Sequence, residues 1–143
     1  MTKFIQIAIE EAKKAAERSE VPVGAVLVCD GKVIAQSGNK CEELKDPKAH
    51  AEMLVLTEAG KILGDKFLEK ADLYVTLEPC PMCASAISFS RIRRVYYGAS
   101  DPKSGGAFLW EHANLHHKPE VYSGIAENEC GNLMTSFFAG KRG

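Results

Sequence analysis

No stretch of this 143-residue sequence is apolar over the length a membrane-spanning helix needs, so no helical span is expected. Cysteine is sparse and odd in number. Cys29, Cys41, Cys80, Cys83 and Cys130 follow no framework spacing, which argues against a disulfide scaffold. Excess charge is also lacking: the net charge of −1 excludes a generic nucleic-acid binder and confines any RNA contact to a local basic patch. Met1 to Arg18 carries Glu10, Glu11 and Glu17 among its lysines, unlike a signal or transit peptide, and a cytoplasmic location is expected. Repeats, linkers and low-complexity segments are missing as well, so residues 1–143 are read as one domain with a sizeable core.

What is present reads as alternating helices and strands. Ile5, Ala8, Ile9, Ala12, Ala15 and Ala16 recur at helical spacing up to about Arg18. Val21 to Val28 reads as a strand, Asp30-Gly31 as a two-residue hairpin turn, and Lys32 to Ser37 as the returning strand. A polar loop follows, and then a helix from about Lys48 to Leu63, with Asp46 as its cap before Pro47. Leu73 to Leu77 is the third strand, a helix follows Cys80 and continues to about Phe89, and Val95 to Ala99 is the fourth strand. Ser100 to Pro119 reads as loop with a helical turn, Glu120 to Ser123 as a short fifth strand, and Ile125 to Arg142 as the last helix. This order predicts helices on both faces of a single sheet.

The chain is organised around Leu77-Glu78-Pro79-Cys80-Pro81-Met82-Cys83. Pro81 suits the first position of a helix, because its missing N–H would have had no partner there. Cys80 and Cys83 then share a face at the helix N-terminus, where thiolates are favoured. Two thiolates leave a zinc ion short of ligands, and His50 supplies a third. Three ligands on a metal that takes four leave room for a reacting water, and Glu52, two residues from His50, is the expected base for it. The pair should converge from the first turn of a helix.

The paired pattern H-x-E and P-C-x-x-C, here His50-Ala51-Glu52 and Pro79-Cys80-Pro81-Met82-Cys83, is the known signature of the zinc nucleobase and nucleoside deaminases. Nearly the whole chain resembles the bacterial tRNA-specific adenosine deaminases. The likeness runs through Val21-Pro22-Val23-Gly24-Ala25-Val26, Asn39, Asp46-Pro47, Ser90-Arg91-Ile92, Asp101-Pro102-Lys103-Ser104-Gly105, His116-His117 and Phe137-Phe138. Ser85 stands where that family usually has glycine, and the basic tail is brief, Lys141 and Arg142.

The resemblance implies a three-layer α/β/α cytidine deaminase-like fold around a five-stranded mixed sheet, and a homodimer. It implies Zn2+ on His50, Cys80 and Cys83, with Glu52 shuttling protons, and hydrolysis of the wobble adenosine of a tRNA anticodon to inosine. An arginine tRNA is the expected substrate. Asn39 would hydrogen-bond the base or ribose. Phe138 would stack on loop bases, while Lys103 and Arg142, with Arg91, Arg93, Arg94 and Lys141, would meet phosphates.

Other readings remain open at this level. Cys41 or Cys29 could close a structural zinc site, and a free base or nucleoside of the guanine or cytosine type could be the substrate. A non-catalytic zinc protein is disfavoured by Glu52. Asn39 could be a turn residue, and the arginines near Arg91 a solvated face. One of Phe137 and Phe138 should pack into the core. Cys29 and Cys130 read as small buried hydrophobes, and His112, His116 and His117 as surface or turn residues.

Overall fold

The computed structural model describes residues 2–112, 114–115 and 117–142, with the backbone alone at Thr2, Lys141 and Arg142. Helix α1 (Thr2–Glu17) leads into the hairpin β1 (Gly24–Cys29) and β2 (Lys32–Gly38). Then come α2 (Ala51–Leu63), β3 (Ala71–Leu77), α3 (Pro81–Phe89), β4 (Arg94–Ala99), α4 (Phe108–His112), β5 (Glu120–Tyr122) and α5 (Glu127–Arg142). The five strands form one mixed sheet in the order β2-β1-β3-β4-β5. β1 is antiparallel to both β2 and β3, while β3, β4 and β5 run parallel. The order of elements expected from the sequence is the order found.

Strand alternation sorts side chains into two cores. Ala25, Leu27, Leu73 and Val75 face α2, α3 and Trp110 of α4, meeting Val55, Ala59, Ala84 and Ile87. Their neighbours Val26, Val28 and Tyr74 face the other way, against Ile5, Ala8 and Ile9 of α1 and Cys130 and Leu133 of α5. The result is the three-layer sandwich of helices, sheet and helices. α1 lies so close to the hairpin that a Cβ on Gly24 would stand 1.8 Å from the Ala8 carbonyl oxygen. Among the described residues, no helix is long and apolar enough to cross a membrane.

The hairpin turn is as expected: Asp30 and Gly31 both adopt positive φ, 53° and 75°, the pair a tight hairpin needs. Two boundaries shift by three residues, and the others by two at most. β1 pairs from Gly24 rather than Val21, because Pro22 has no N–H to give and the Val23 N–H turns back to the Val21 carbonyl. α2 starts at Ala51 rather than Lys48, and Asp46 is not its cap. Asp46 instead accepts the Lys48 N–H at 2.9 Å in a local turn, and the backbone stays extended at His50. This shift makes His50 itself the N-cap residue of α2.

Candidate active site

Both helices on this side begin with a candidate metal ligand. His50 is the N-cap of α2 and Cys80 the N-cap of α3, with Pro81 following at the first helical position. Neither side chain caps its own helix, so both are free to face the space between the two helix starts. The amide that His50 leaves uncapped, Ala51 N–H, is taken from outside: Asn39 Oδ1 accepts it at 2.7 Å. Asn39 is buried, and the Arg18 guanidinium holds its carbonyl at 3.3 Å.

His50 Nδ1 lies 3.5 Å from Cys80 Sγ and 3.5 Å from Cys83 Sγ. A tetrahedral ion with Zn–S of ~2.3 Å and Zn–N of ~2.0–2.1 Å sets nitrogen and sulfur about 3.5 Å apart, so the donors have the spacing zinc requires. Among the described residues, these are the three whose ligand atoms gather, all within 4.8 Å of one another. Cys41 lines the same pocket but does not join the group, and Cys29 lies half-buried in a different surface cleft. A closed site with either as fourth donor therefore finds no support. The Cys80 thiol is pulled down to about 4, first by the hydrogen bond from the Cys83 thiol and also by His50. Cys83 moves the opposite way, because its proton is held against the Cys80 sulfur.

Glu52 sits in the first turn of α2, only 3% exposed. Among the described residues, its Oε1 is the one buried side-chain polar atom with no hydrogen-bond partner. Buried polar atoms are nearly always paired, so an orphan facing a pocket points to a partner the protein itself does not supply. Burial also pushes its carboxyl up to about 7.

His50, Glu52 and Cys80 open onto a pocket of about 250 Å³. Val21, Val23, Leu77 and Met134 give it apolar walls, and Asn39, Cys41, Glu78, Asp101 and Ser104 a polar rim. The volume falls below the ~300 Å³ at which drug-sized sites begin, which suits one base and not a stack of two.

Two carboxylates hold the rim in place, and the sequence assigns a role to neither, although Glu78 lies within the motif that ends at Cys83. Glu20, 2% exposed, accepts the N–H groups of Glu42 and Glu43 at 3.0 and 2.9 Å and so fixes the loop that carries Asn39 and Cys41. Glu78 accepts Asp101 N–H at 3.0 Å and Ala107 N–H at 3.1 Å, across the loop that carries Asp101 and Ser104. That loop is packed hard against the start of α3: a Cβ on Gly106 would meet the Cys80 backbone at 2.5 Å.

The other sequence candidates divide. Lys103 is exposed on the rim loop beside Ser104. Phe138 is 43% exposed and lies one helical turn beyond the pocket residue Met134, on the same face of α5. Phe137 is half-buried and meets the Phe138 ring edge-on, but it belongs to neither core cluster. Arg91, Arg93 and Arg94 lie at the opposite end of the sheet. Arg93 makes a two-pronged contact with Asp72, Arg94 pairs with Glu120, and Arg91 covers the Phe67 ring beside Glu69. The solvated-face reading is the one that fits them.

His117 is structural: its Nε2 meets the Ile92 carbonyl at 2.7 Å and its backbone bonds Ser88. His112 is exposed on α4. Cys130 is buried as expected, but Cys29 is only half so, because it closes β1 beside the exposed hairpin turn. His116 and the side chains of Lys141 and Arg142 lie outside the described residues.

Residues 1–99 match the family model of the cytidine and deoxycytidylate deaminase zinc-binding region. Fold and donor set together define a zinc-dependent deaminase of that class. Over 145 residues the chain is 55% identical to the tRNA-specific adenosine deaminase of Agrobacterium fabrum, covering 99% of this chain and 95% of the relative. It is 51% identical to the enzyme of the same name from Bacillus subtilis, over 94% of this chain and 86% of that one. A solved structure from a study of A-to-I editing by tRNA:A34 deaminases at the wobble position of transfer RNA superposes with a TM-score of 0.90 at 55% identity, covering 93% of this chain and 99% of that chain. The chain belongs to the tRNA-specific adenosine deaminases.

Proposed function

We propose that this chain hydrolyses the wobble adenosine of a tRNA anticodon to inosine, replacing the amine at C6 with oxygen and releasing ammonia. The observation that carries this is the buried Glu52 carboxylate, whose unpartnered Oε1 shares one small pocket with His50 and Cys80. His50 Nδ1, Cys80 Sγ and Cys83 Sγ would hold a zinc ion, which would supply the Lewis acidity that makes a water nucleophilic at neutral pH. Glu52 takes a proton from the attacking water on its free oxygen and returns it to N1 of the ring; it then takes the second proton, from the new C6 hydroxyl, and passes it to the departing amine, which leaves as ammonia. Val21, Val23, Leu77 and Met134 grip the faces of the base and exclude bulk water. The starts of α2 and α3 present their positive ends to the charge that develops there.

The pocket admits one base, so the adenosine must leave the loop stack to enter it. Neighbouring nucleotides then lie against the rim, where Lys103 meets phosphate and Phe138 offers a face for stacking. Arg142, at the end of α5, is placed by this reading with the phosphate contacts. A homodimer fits the exposed Phe89 and Phe108 on the packed helices α3 and α4, and light scattering measures it. A cytoplasmic location follows from the substrate.

The test is an arginine tRNA anticodon stem-loop with wobble adenosine, run beside free guanine, cytidine and adenosine. Inosine in the RNA with no ammonia from the free compounds supports the reading. Turnover of a free compound with the RNA untouched overturns it.

Asn39 has two tasks in this reading, and one substitution separates them. Its Oδ1 holds the start of α2, and its amide nitrogen is left for the substrate. Asn39→Asp keeps the acceptor and removes the donor. The melting temperature should stay within a few degrees while KM for the stem-loop rises roughly tenfold to a hundredfold, the loss of a hydrogen bond to substrate. An unchanged KM would leave Asn39 as a helix cap alone.

A further inference from the structure

One side of the pocket's rim is the loop after β4, residues 101–107. Asp101 Oδ1 accepts the N–H groups of Lys103 and Ser104 at 3.3 and 3.1 Å, and Gly105 N–H bonds the Asp101 carbonyl at 2.9 Å. These contacts give the loop its shape. Its placement comes from elsewhere: Glu78 spans it, with one carboxylate oxygen on the amide of Asp101 and the other on that of Ala107. Glu78 is itself anchored at the end of β3, where its N–H donates to the Ala99 carbonyl at 2.8 Å. The fit leaves no slack, since a Cβ on Gly105 would stand 2.2 Å from Glu78 Oε2.

We infer that Glu78 is a positioning residue: through its two-point hold on residues 101–107 it sets how tightly the rim, with Asp101 and Ser104, engages the nucleotide. The inference rests on the proposed deaminase activity. The carboxylate is an acceptor at both ends, which is what two converging amides require. Chemistry at C6 belongs to Glu52 and the metal, so Glu78 governs substrate affinity and leaves the chemical step alone.

Glu78→Gln is the informative variant, because it keeps shape and one acceptor but turns an NH2 toward an amide that donates. The wild-type protein must first convert the wobble-adenosine stem-loop; if it does not, the proposed function fails and not this inference. With activity established, KM for the stem-loop should rise about tenfold, with kcat per bound zinc retained within a few-fold. Amide hydrogen exchange at Asp101 and Ala107 should quicken while that in β3 and β4 does not. Gly105→Ala, whose Cβ would press on Glu78 Oε2 and wedge the same contact apart while leaving the carboxylate's chemistry unaltered, should reproduce both changes. An unaltered KM overturns the inference. So does a fall in kcat at constant KM, which would place Glu78 in the chemistry, or loss of zinc from Glu78→Gln, which would place its role at the start of α3.

Discussion

Glu52→Ala is expected to lower kcat by about 10²- to 10⁴-fold while the protein stays folded and zinc-loaded. Glu52 is not among the gathered donors, so its removal leaves the metal's protein ligands intact. What is lost is a buried carboxylate oxygen beside the donors that is free to accept and return a proton, since Oε1 has no hydrogen-bond partner among the described residues. Stability should change little for a buried residue. An unpaired carboxylate is costly to bury, and relief of that cost opposes the loss of packing. The measurements are single-turnover deamination of the stem-loop and zinc content by atomic absorption. Near-full activity with zinc in place would remove Glu52 from the mechanism.

Cys83→Ser is expected to strip the metal. Cys83 is fully buried at the third position of α3, held there by the turn that Pro81 begins. A serine hydroxyl fits the space but does not ionise as a thiol does, and zinc ligands must be deprotonated. Zinc content should drop well below one per chain, and kcat/KM should fall with it by roughly 10³-fold or more, since Lewis-acid activation is worth several kcal/mol. Cys41→Ser is the matched control. Cys41 lines the pocket without belonging to the donor cluster, so its replacement should leave zinc bound. Loss of zinc from Cys41→Ser with retention in Cys83→Ser would reverse the ligand assignment.

The difference between these two cysteines shows where sequence reading reaches its limit. Cys80 and Cys83 were legible because the signal is local: a proline at the first helical position and a spacing of three fix both thiols on one face. Cys41 has no local pattern of that kind, and only its place in the folded loop separates it from the ligands. The same holds for the two helix starts. Asp46-Pro47 looked like a cap, but the chain makes a tight turn there and hands the N-cap to His50. That choice depends on Asn39 arriving from another loop to take the Ala51 amide, a contact with no signature in the segment itself.

The sequence by itself therefore determined the order of elements, the hairpin turn, and the close pairs Cys80–Cys83 and His50–Glu52, because each rests on periodicity, turn chemistry or spacing within a few residues. The tertiary structure alone decided how the pocket is closed. Glu20 and Glu78 clamp loops more than twenty residues away, Met134 reaches the site from the last helix, and the arginines after α3 go to acids at the far end of the sheet. Those partners meet because strand register and helix packing bring distant segments together.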